Sequence, residues 1–292
     1  MFVAHLANRV VRGARRLAGR DMKVTCRRRS VEWSLDLDEG IDLSIYLLGA
    51  YEPRTLSAYR AILADLGEAV VFDIGANIGA HTLHFARLVG PAGRVFAFEA
   101  TDYAYAKLRR NLELNPQWAS RVDPRQIYLK ADRAAVPPES LCSSWPVDVL
   151  RDDVHSDSLG LSRPLLSASS MTADDFCQSA GIGRLDLVKI DVDGYEFSVL
   201  SGFRSTLARF RPILLIELAP YFHAHCEGDA FERMVGFLRD LGYDFLDANN
   251  GRPLPDQADQ LRALIPARAS VNAILRPRAL PVSARQLEPC QT

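Results

Sequence analysis

The stretch VVFDIGANIGAHTLHFARLVGPAGRVFAFE, Val70–Glu99, decides the fold. Val70–Asp73 reads as a strand that finishes on an acid. A turn carrying Gly75 and Gly79 leads into a helix over His81–Leu88, and a second strand, Arg94–Glu99, again finishes on an acid. Near-continuous apolar strands alternating with amphipathic helices indicate a parallel sheet covered on both faces. Such a sheet binds its ligands at the carboxyl ends of the strands, near the point where strand order reverses.

The alternation extends both ways from this stretch. Upstream, VEWSLDL (Val31–Leu37) alternates like a strand, Ile41–Leu48 is a second short apolar run, and Pro53–Leu66 has helical periodicity. Downstream, the spacing predicts a helix over Tyr103–Leu114 and a weaker third strand over Ile127–Ala131. Pro137–Leu161, rich in Pro, Ser and Asp, reads as a loop or insertion. A helix over Met171–Ala180, a strand over Leu185–Asp191, a helix over Glu196–Leu207 and a strand over Ile213–Glu217 follow. A helix over Glu232–Leu241 precedes two closing strands, Tyr243–Leu246 and Val271–Leu275. The expected class is α/β: a Rossmann-like, mostly parallel twisted sheet with helices on both faces and a C-terminal antiparallel strand pair.

The 292 residues are 48% hydrophobic and 24% charged, with a net charge of −1, an ordinary soluble composition that gives no reason to expect a nucleic-acid partner. Five scattered cysteines without a CxxC pair suggest neither a disulfide framework nor a metal site, so no metal ligand is assigned and a cytoplasmic location is expected. The charge is uneven: residues 1–30 hold nine Arg or Lys against Asp21, which makes that segment +8 and the remainder −9. Two readings stay open for it. A solvated, partly disordered extension is favoured; a basic amphipathic helix making peripheral contact with an anionic membrane surface is the other.

The turn after the first strand does not spell GxGxxG. Asn77 obstructs the backbone approach that a pyrophosphate needs, and Asp73 would repel phosphate. A cofactor with an amine and a sulfonium suits an acidic turn better. Glu99, twenty residues past Gly79, ends the second strand, where a carboxylate can accept hydrogen bonds from both hydroxyls of a ribose. These features favour S-adenosyl-L-methionine over a plain Rossmann-type turn whose acids cap helices.

A second constellation is LDLVKIDVDGYEFSVLSGF, Leu185–Phe203. Strand alternation puts Leu187, Lys189 and Asp191 on one face. A lysine inside an apolar strand is costly to bury unpaired, and Asp191 and Glu217 are its available partners. Asp73, Glu99, Asp191 and Glu217 would thus form an arc of carboxylates on the ligand-binding rim. The competing reading is a structural salt bridge that fixes strand register.

In this order and spacing, DIGANIG, FAFE, KIDVDGYE and ILLIE resemble the FkbM-type branch of the class I S-adenosylmethionine-dependent methyltransferases. The similarity takes in WSLDLDEGIDLSIYLLGAYEP, MTADDF and LGYDFLDANNGRPL, and so spans most of Val31–Pro277. Asp193 stands where the family usually has Glu. The resemblance implies O-methylation of a hydroxyl on a sugar, glycan or polyketide-like acceptor. It implies cofactor binding by Asp73, Gly75, Asn77, Gly79 and Glu99, with Asp132 reaching the adenine amino group. Asp191 is the first choice for the base at the acceptor hydroxyl; Lys189 and Glu217 orient it, and Glu196 is held in reserve. His223 is a further candidate, and Tyr195, Tyr221 and Phe222 offer a stacking face for a sugar. The expected organisation is a basic extension over 1–30, lead-in strands and a helix over 31–66, a methyltransferase domain over 67–277 and a loose tail over 278–292. A non-catalytic S-adenosylmethionine-binding module and, less favoured, a nicotinamide-dependent oxidoreductase are the alternatives.

Overall fold

A computed structural model of the chain describes residues 11–15, 17–147, 160–226 and 228–279. Its strands, in chain order, are β1 (Lys23–Arg28), β2 (Val31–Asp36), β3 (Val70–Ile74), β4 (Arg94–Phe98), β5 (Val122–Arg125), β6 (Ile127–Leu129) and β7 (Ser140–Ser144). They continue as β8 (Leu161–Pro164), β9 (Ser169–Met171), β10 (Leu187–Ile190), β11 (Ile213–Leu218), β12 (Tyr243–Asp247) and β13 (Val271–Pro277). Seven form the central sheet in the order β12-β13-β11-β10-β3-β4-β5. β5, β4, β3, β10 and β11 run parallel, while β13 is antiparallel to both β11 and β12. The chain leaves β3 outward through β4 and β5, then returns to β10 on the other side of β3. The switch point therefore lies between β3 and β10, where a ligand crevice is expected.

Alternation along the central strands sends consecutive residues to opposite cores, which is why these strands read as unbroken apolar runs. Phe72, Val188 and Leu214 enter one buried cluster with Phe203, Phe231 and Met234. Val71, Leu187 and Leu215 enter the other, with Tyr59, Leu63 and Phe85. A third cluster, around Val31, Trp33, Leu35 and Leu37, seats β2 against Ile78, Leu83 and Leu108. Lys189 shares the face of Leu187 and stands directly opposite Asp73 in the β10–β3 register.

Several elements differ from the sequence-based expectation. Gly40–Leu48 is a helix closed by Gly49 in the left-handed region, not a strand; its apolar residues are too dense to set a period by themselves. Lys23–Arg28, inside the basic segment, pairs along all six residues with β2, so the boundary at residue 30 cuts through a hairpin. The third parallel strand is Val122–Arg125, and Ile127–Leu129 turns off the sheet to pair with β9. A short, half-buried edge strand containing Pro124 gives little apolar signal. β7, within the expected insertion, pairs antiparallel with β8, which begins at the insertion's last residue, Leu161; residues 148–159, the first ten residues and the tail from 280 lie outside the described residues.

Candidate active site

A cavity of about 610 Å³ opens over the carboxyl ends of β3, β4, β10 and β11, at the switch point. Its wall includes Gly75, Asn77, Glu99, Lys189, Asp191 and Glu217, six of the ten residues singled out by sequence, together with Tyr195, Tyr221 and Phe222.

The turn after β3 is shaped by its own backbone. Gly75 sits at φ +77° and Asn77 at +48°, both in the left-handed region. A β-carbon on Gly75 would overlap the Asp191 carbonyl oxygen, so glycine is what lets the β3 turn and the end of β10 touch. The N–H groups of Gly75 and Ala76 both donate to the Phe98 carbonyl. The Asn77 Oδ1 accepts from the Ile78 N–H, and its Nδ2 donates to the Ser143 carbonyl at 3.3 Å, tying the turn to β7.

Glu99 lies between these pieces, 6% exposed. Its Oε2 accepts from the Asn77 N–H at 2.9 Å, and its Oε1 from the Thr101 N–H at 2.8 Å and hydroxyl at 2.6 Å. Burial pushes its carboxyl up, against the pull of the Thr101 and Asn77 hydrogen bonds. Three of about four lone-pair sites are occupied, which leaves Oε2 open to one further donor. The expectation that Glu99 alone accepts from both ribose hydroxyls therefore requires the Thr101 hydroxyl to turn away.

Lys189 is the electrostatic centre. Its ammonium, 4% exposed, lies 3.3 Å from Asp191, 3.5 Å from Asp73 and 3.3 Å from the Gly75 carbonyl. Burial opposes its charge, but Asp191 and Asp73 outweigh it and hold the ammonium protonated above its ordinary range. Asp73 is fully buried; its Oδ2 accepts from the Thr82 hydroxyl at 2.6 Å. It lies inside β3 beneath the turn, so the arc of four rim carboxylates reduces to Glu99, Asp191 and Glu217, and Asp73 serves Lys189 and Thr82. Lys189 pairs with Asp73 and Asp191; Glu217 is not among its partners.

Asp193 joins Asp191 and Glu217 in the cavity, and one carboxylate oxygen from each lies within 4.8 Å of the others. Burial, then the neighbouring Asp191, push both Asp193 and Glu217 well above the usual carboxylate range. Asp193 adopts φ +51°, the conformation that turns its short side chain into this cluster. Asp191 is 28% exposed and is the member that pairs with Lys189.

Besides Asp73, three expected site residues are not brought to the cavity wall. The Asp132 carboxylate is exposed and accepts from the Ala134 and Ala135 N–H groups, because the chain has left the sheet after Arg125. Gly79 packs under Leu108, where φ +88° and the lack of a side chain are both needed. Glu196 is turned away from the cavity: 1% exposed, it accepts from the Val192 and Gly194 N–H groups and lies 3.1 Å from the Nε2 of fully buried His223.

Sequence reasoning missed Tyr51, His81 and Ser143, all on the cavity wall. His81 is buried between Glu52, 3.5 Å from Nε2, and the Tyr59 hydroxyl, 3.3 Å from Nδ1. Its position two residues after Gly79 was a legible signal. Ser143 comes from the segment read as a loop and carried none.

The described helices include none long and apolar enough to cross a membrane. The sequence profile of the Methyltransferase FkbM domain matches residues 73–245. The chain is 27% identical over 191 residues to the 2-O-methyltransferase NoeI of Sinorhizobium fredii, covering 60% of this chain and 77% of that protein. It is 31% identical over 199 residues to the 31-O-demethyl-FK506 methyltransferase FkbM of Streptomyces tacrolimicus, covering 60% and 72%. Among solved structures, the O-methyltransferase from Bacillus cereus in complex with SAH aligns at 14% identity with a TM-score of 0.44, covering 77% of this chain and 80% of that one. A profile match over more than half of the chain, on the residues that build the cavity, makes this protein a methyltransferase of the FkbM family.

Proposed function

We propose that the protein transfers a methyl group from S-adenosyl-L-methionine to a hydroxyl oxygen of a sugar, glycan or polyketide-like acceptor. The observation that carries this reading is the placement of Glu99 and Asp191 on one cavity across the β3–β10 switch point, with Gly75 letting the β3 turn pack against the end of β10. The residues fit such a cofactor: about 610 Å³ is an ordinary size for a small-molecule site. Glu99 keeps one open lone pair, and the buried Ser143 hydroxyl has no hydrogen-bond partner among the described residues. A polar nucleoside edge would satisfy both. The names of the two relatives, a 2-O-methyltransferase and a 31-O-demethyl-FK506 methyltransferase, support oxygen as the atom.

Bound S-adenosyl-L-methionine supplies an activated methyl group on a sulfonium. The chain has then to align an acceptor oxygen and receive its proton. Asp191 does the second: its carboxylate is on the cavity wall, and Lys189 pairs with it at 3.3 Å. Tyr195, Tyr221 and Phe222 present aromatic surface on the same cavity for the body of the acceptor. Calorimetry with S-adenosylhomocysteine and NAD tests the cofactor, and transfer of labelled methyl to a panel of hexose, glycan and macrolide alcohols tests the acceptor. Absence of S-adenosylhomocysteine binding overturns the reading.

A further inference from the structure

The turn that carries Asp191 and Asp193 into the cavity has no regular structure of its own. Asp193 and Gly194 both have positive φ, +51° and +101°, and such a turn keeps its shape only if its amides are held. The Glu196 carboxylate holds them. Oε1 accepts from the Val192 N–H at 2.9 Å, and Oε2 from the Gly194 N–H at 3.1 Å. Behind Glu196 stands His223, on the helix Pro220–Cys226 whose first turn supplies Tyr221 and Phe222 to the cavity wall. Its Nε2 is 3.1 Å from Glu196 Oε2, at hydrogen-bond distance though short of hydrogen-bond alignment. Neither side chain lines the cavity: Glu196 is 1% and His223 0% exposed.

We propose that Glu196 and His223 are a positioning pair for the methyl transfer: they clamp the turn bearing Asp191 and Asp193 to the helix bearing Tyr221 and Phe222, and touch none of the reacting atoms. This assignment rests on the methyltransferase reading for its purpose, not for its geometry.

The charge state follows from the surroundings. Asp191, Asp193 and Glu217 face Glu196 from the cavity side, and His223 is faced by Glu232 and Arg262, which pair with each other at 2.7 Å. Burial first, and then Asp191, push Glu196 up to about 7. Burial lowers His223 to about 4. In the unfolded chain, at a pH between the two ordinary values, the acid is ionised and the histidine is charged. In the folded protein the order is inverted: the proton sits on Glu196, and the imidazole is neutral. The buried pair thus carries no charge between about pH 4 and 7, and both amide clamps are kept, because a carboxylic acid still has lone pairs on each oxygen.

Glu196→Gln imitates the protonated acid, since its Oε1 can accept from Val192 and Gly194 while its amide faces His223; Glu196→Ala removes the clamp. In the whole protein without ligand, the Val192 and Gly194 amide NMR signals should move with a midpoint near pH 7. The His223 ring should stay neutral to about pH 4. In Glu196→Gln the two amide signals should stay near their low-pH wild-type positions from about pH 5 to 9. Affinity for S-adenosylhomocysteine should remain within about twofold in Glu196→Gln and fall about tenfold or more in Glu196→Ala, as the turn loses its hold on the wall. The proposal is overturned if wild-type amides titrate near the ordinary Glu value, if His223 titrates near its ordinary value, or if Glu196→Gln displaces the turn as far as Glu196→Ala. Should Glu196→Ala not fold, the wild-type titration and Glu196→Gln decide. A wild-type protein that fails to bind S-adenosylhomocysteine overturns the methyltransferase reading instead, and leaves the amide titrations to judge the pair.

Discussion

Gly75 and Asp191 meet across the switch point so closely that the Asp191 carbonyl occupies the space of a β-carbon on residue 75. The positive φ of Gly75 adds a second obstacle to any side chain. Gly75→Ala should therefore cost about 2 kcal/mol or more of stability and weaken cofactor binding together. Chemical denaturation and S-adenosylhomocysteine calorimetry on the same preparation check it; a variant as stable as the wild type would show that β3 and β10 can part without cost.

Lys189 and Asp191 should separate on substitution although they form one ion pair. Lys189→Met leaves fully buried Asp73 without its cation, an arrangement that costs roughly 3–5 kcal/mol. Asp191→Asn leaves Lys189 with Asp73 and the Gly75 carbonyl, so the melt should change little. Once an acceptor is in hand, Asp191→Asn should lower turnover by about 10²–10⁴, the scale of a positioned general base. Cofactor binding lost in step with turnover would make Asp191 a binding residue.

Glu99→Ala should weaken S-adenosylhomocysteine by about 2–4 kcal/mol, from charge-assisted bonds lost and from release of the Asn77 N–H. Thr101→Val isolates one part of that loss. It frees a lone pair on Oε1 while the Thr101 N–H contact stays, and should leave affinity equal or improved. A large loss in Thr101→Val would place the hydroxyl itself on the ligand.

His84 predicts an acid limb. It is 2% exposed, and burial lowers it to about 3 from an ordinary 6.5. Between those values the unfolded chain binds a proton that the folded one does not, so stability falls as pH drops below 6.5, by up to about 1.4 kcal/mol per pH unit for this group. Denaturant unfolding of His84→Leu at several pH values should show that slope reduced. An unchanged slope would mean that the ring finds a proton-accepting partner on protonation.

Deleting residues 1–30 removes β1 and strips β2 of a six-residue partner, so the melt should drop by several degrees. The membrane-surface expectation needs a gentler probe. Arg20→Gln, Lys23→Gln and Arg27→Gln, all at exposed positions, should lower retention on anionic vesicles in a salt-sensitive manner while leaving the hairpin in place. Equal retention would favour the solvated extension.

The parts legible in the sequence are those where one physical signal acts alone. β3, β4, β10 and β11 are buried on both faces, so their apolar runs, and the acids ending them, stand out. Lys189 could be read as paired because nothing else in its strand is polar. Asp73 was misplaced by one layer: a carboxylate near a strand end looks the same in sequence whether it faces the ligand or the lysine on the next strand. Asp132 was misplaced because Pro124 and the half-buried β5 hide where the chain leaves the sheet. Ser143 and Tyr51 reach the cavity through contacts between chain-distant segments, for which no local period exists.

The switch point also divides the molecule for anyone who would re-engineer it. The glycine turn, Glu99 and Ser143 lie on the β4 side, whereas Tyr221 and Phe222 follow β11 in a helix of seven residues. Lys189 and the turn after β10 stand between the two halves. In the proposed reading, donor recognition and acceptor choice are separable inheritances. Transplanting the Pro220–Cys226 segment from a relative should change which alcohol is accepted while the affinity for S-adenosylhomocysteine stays where it was, provided His223 travels with it.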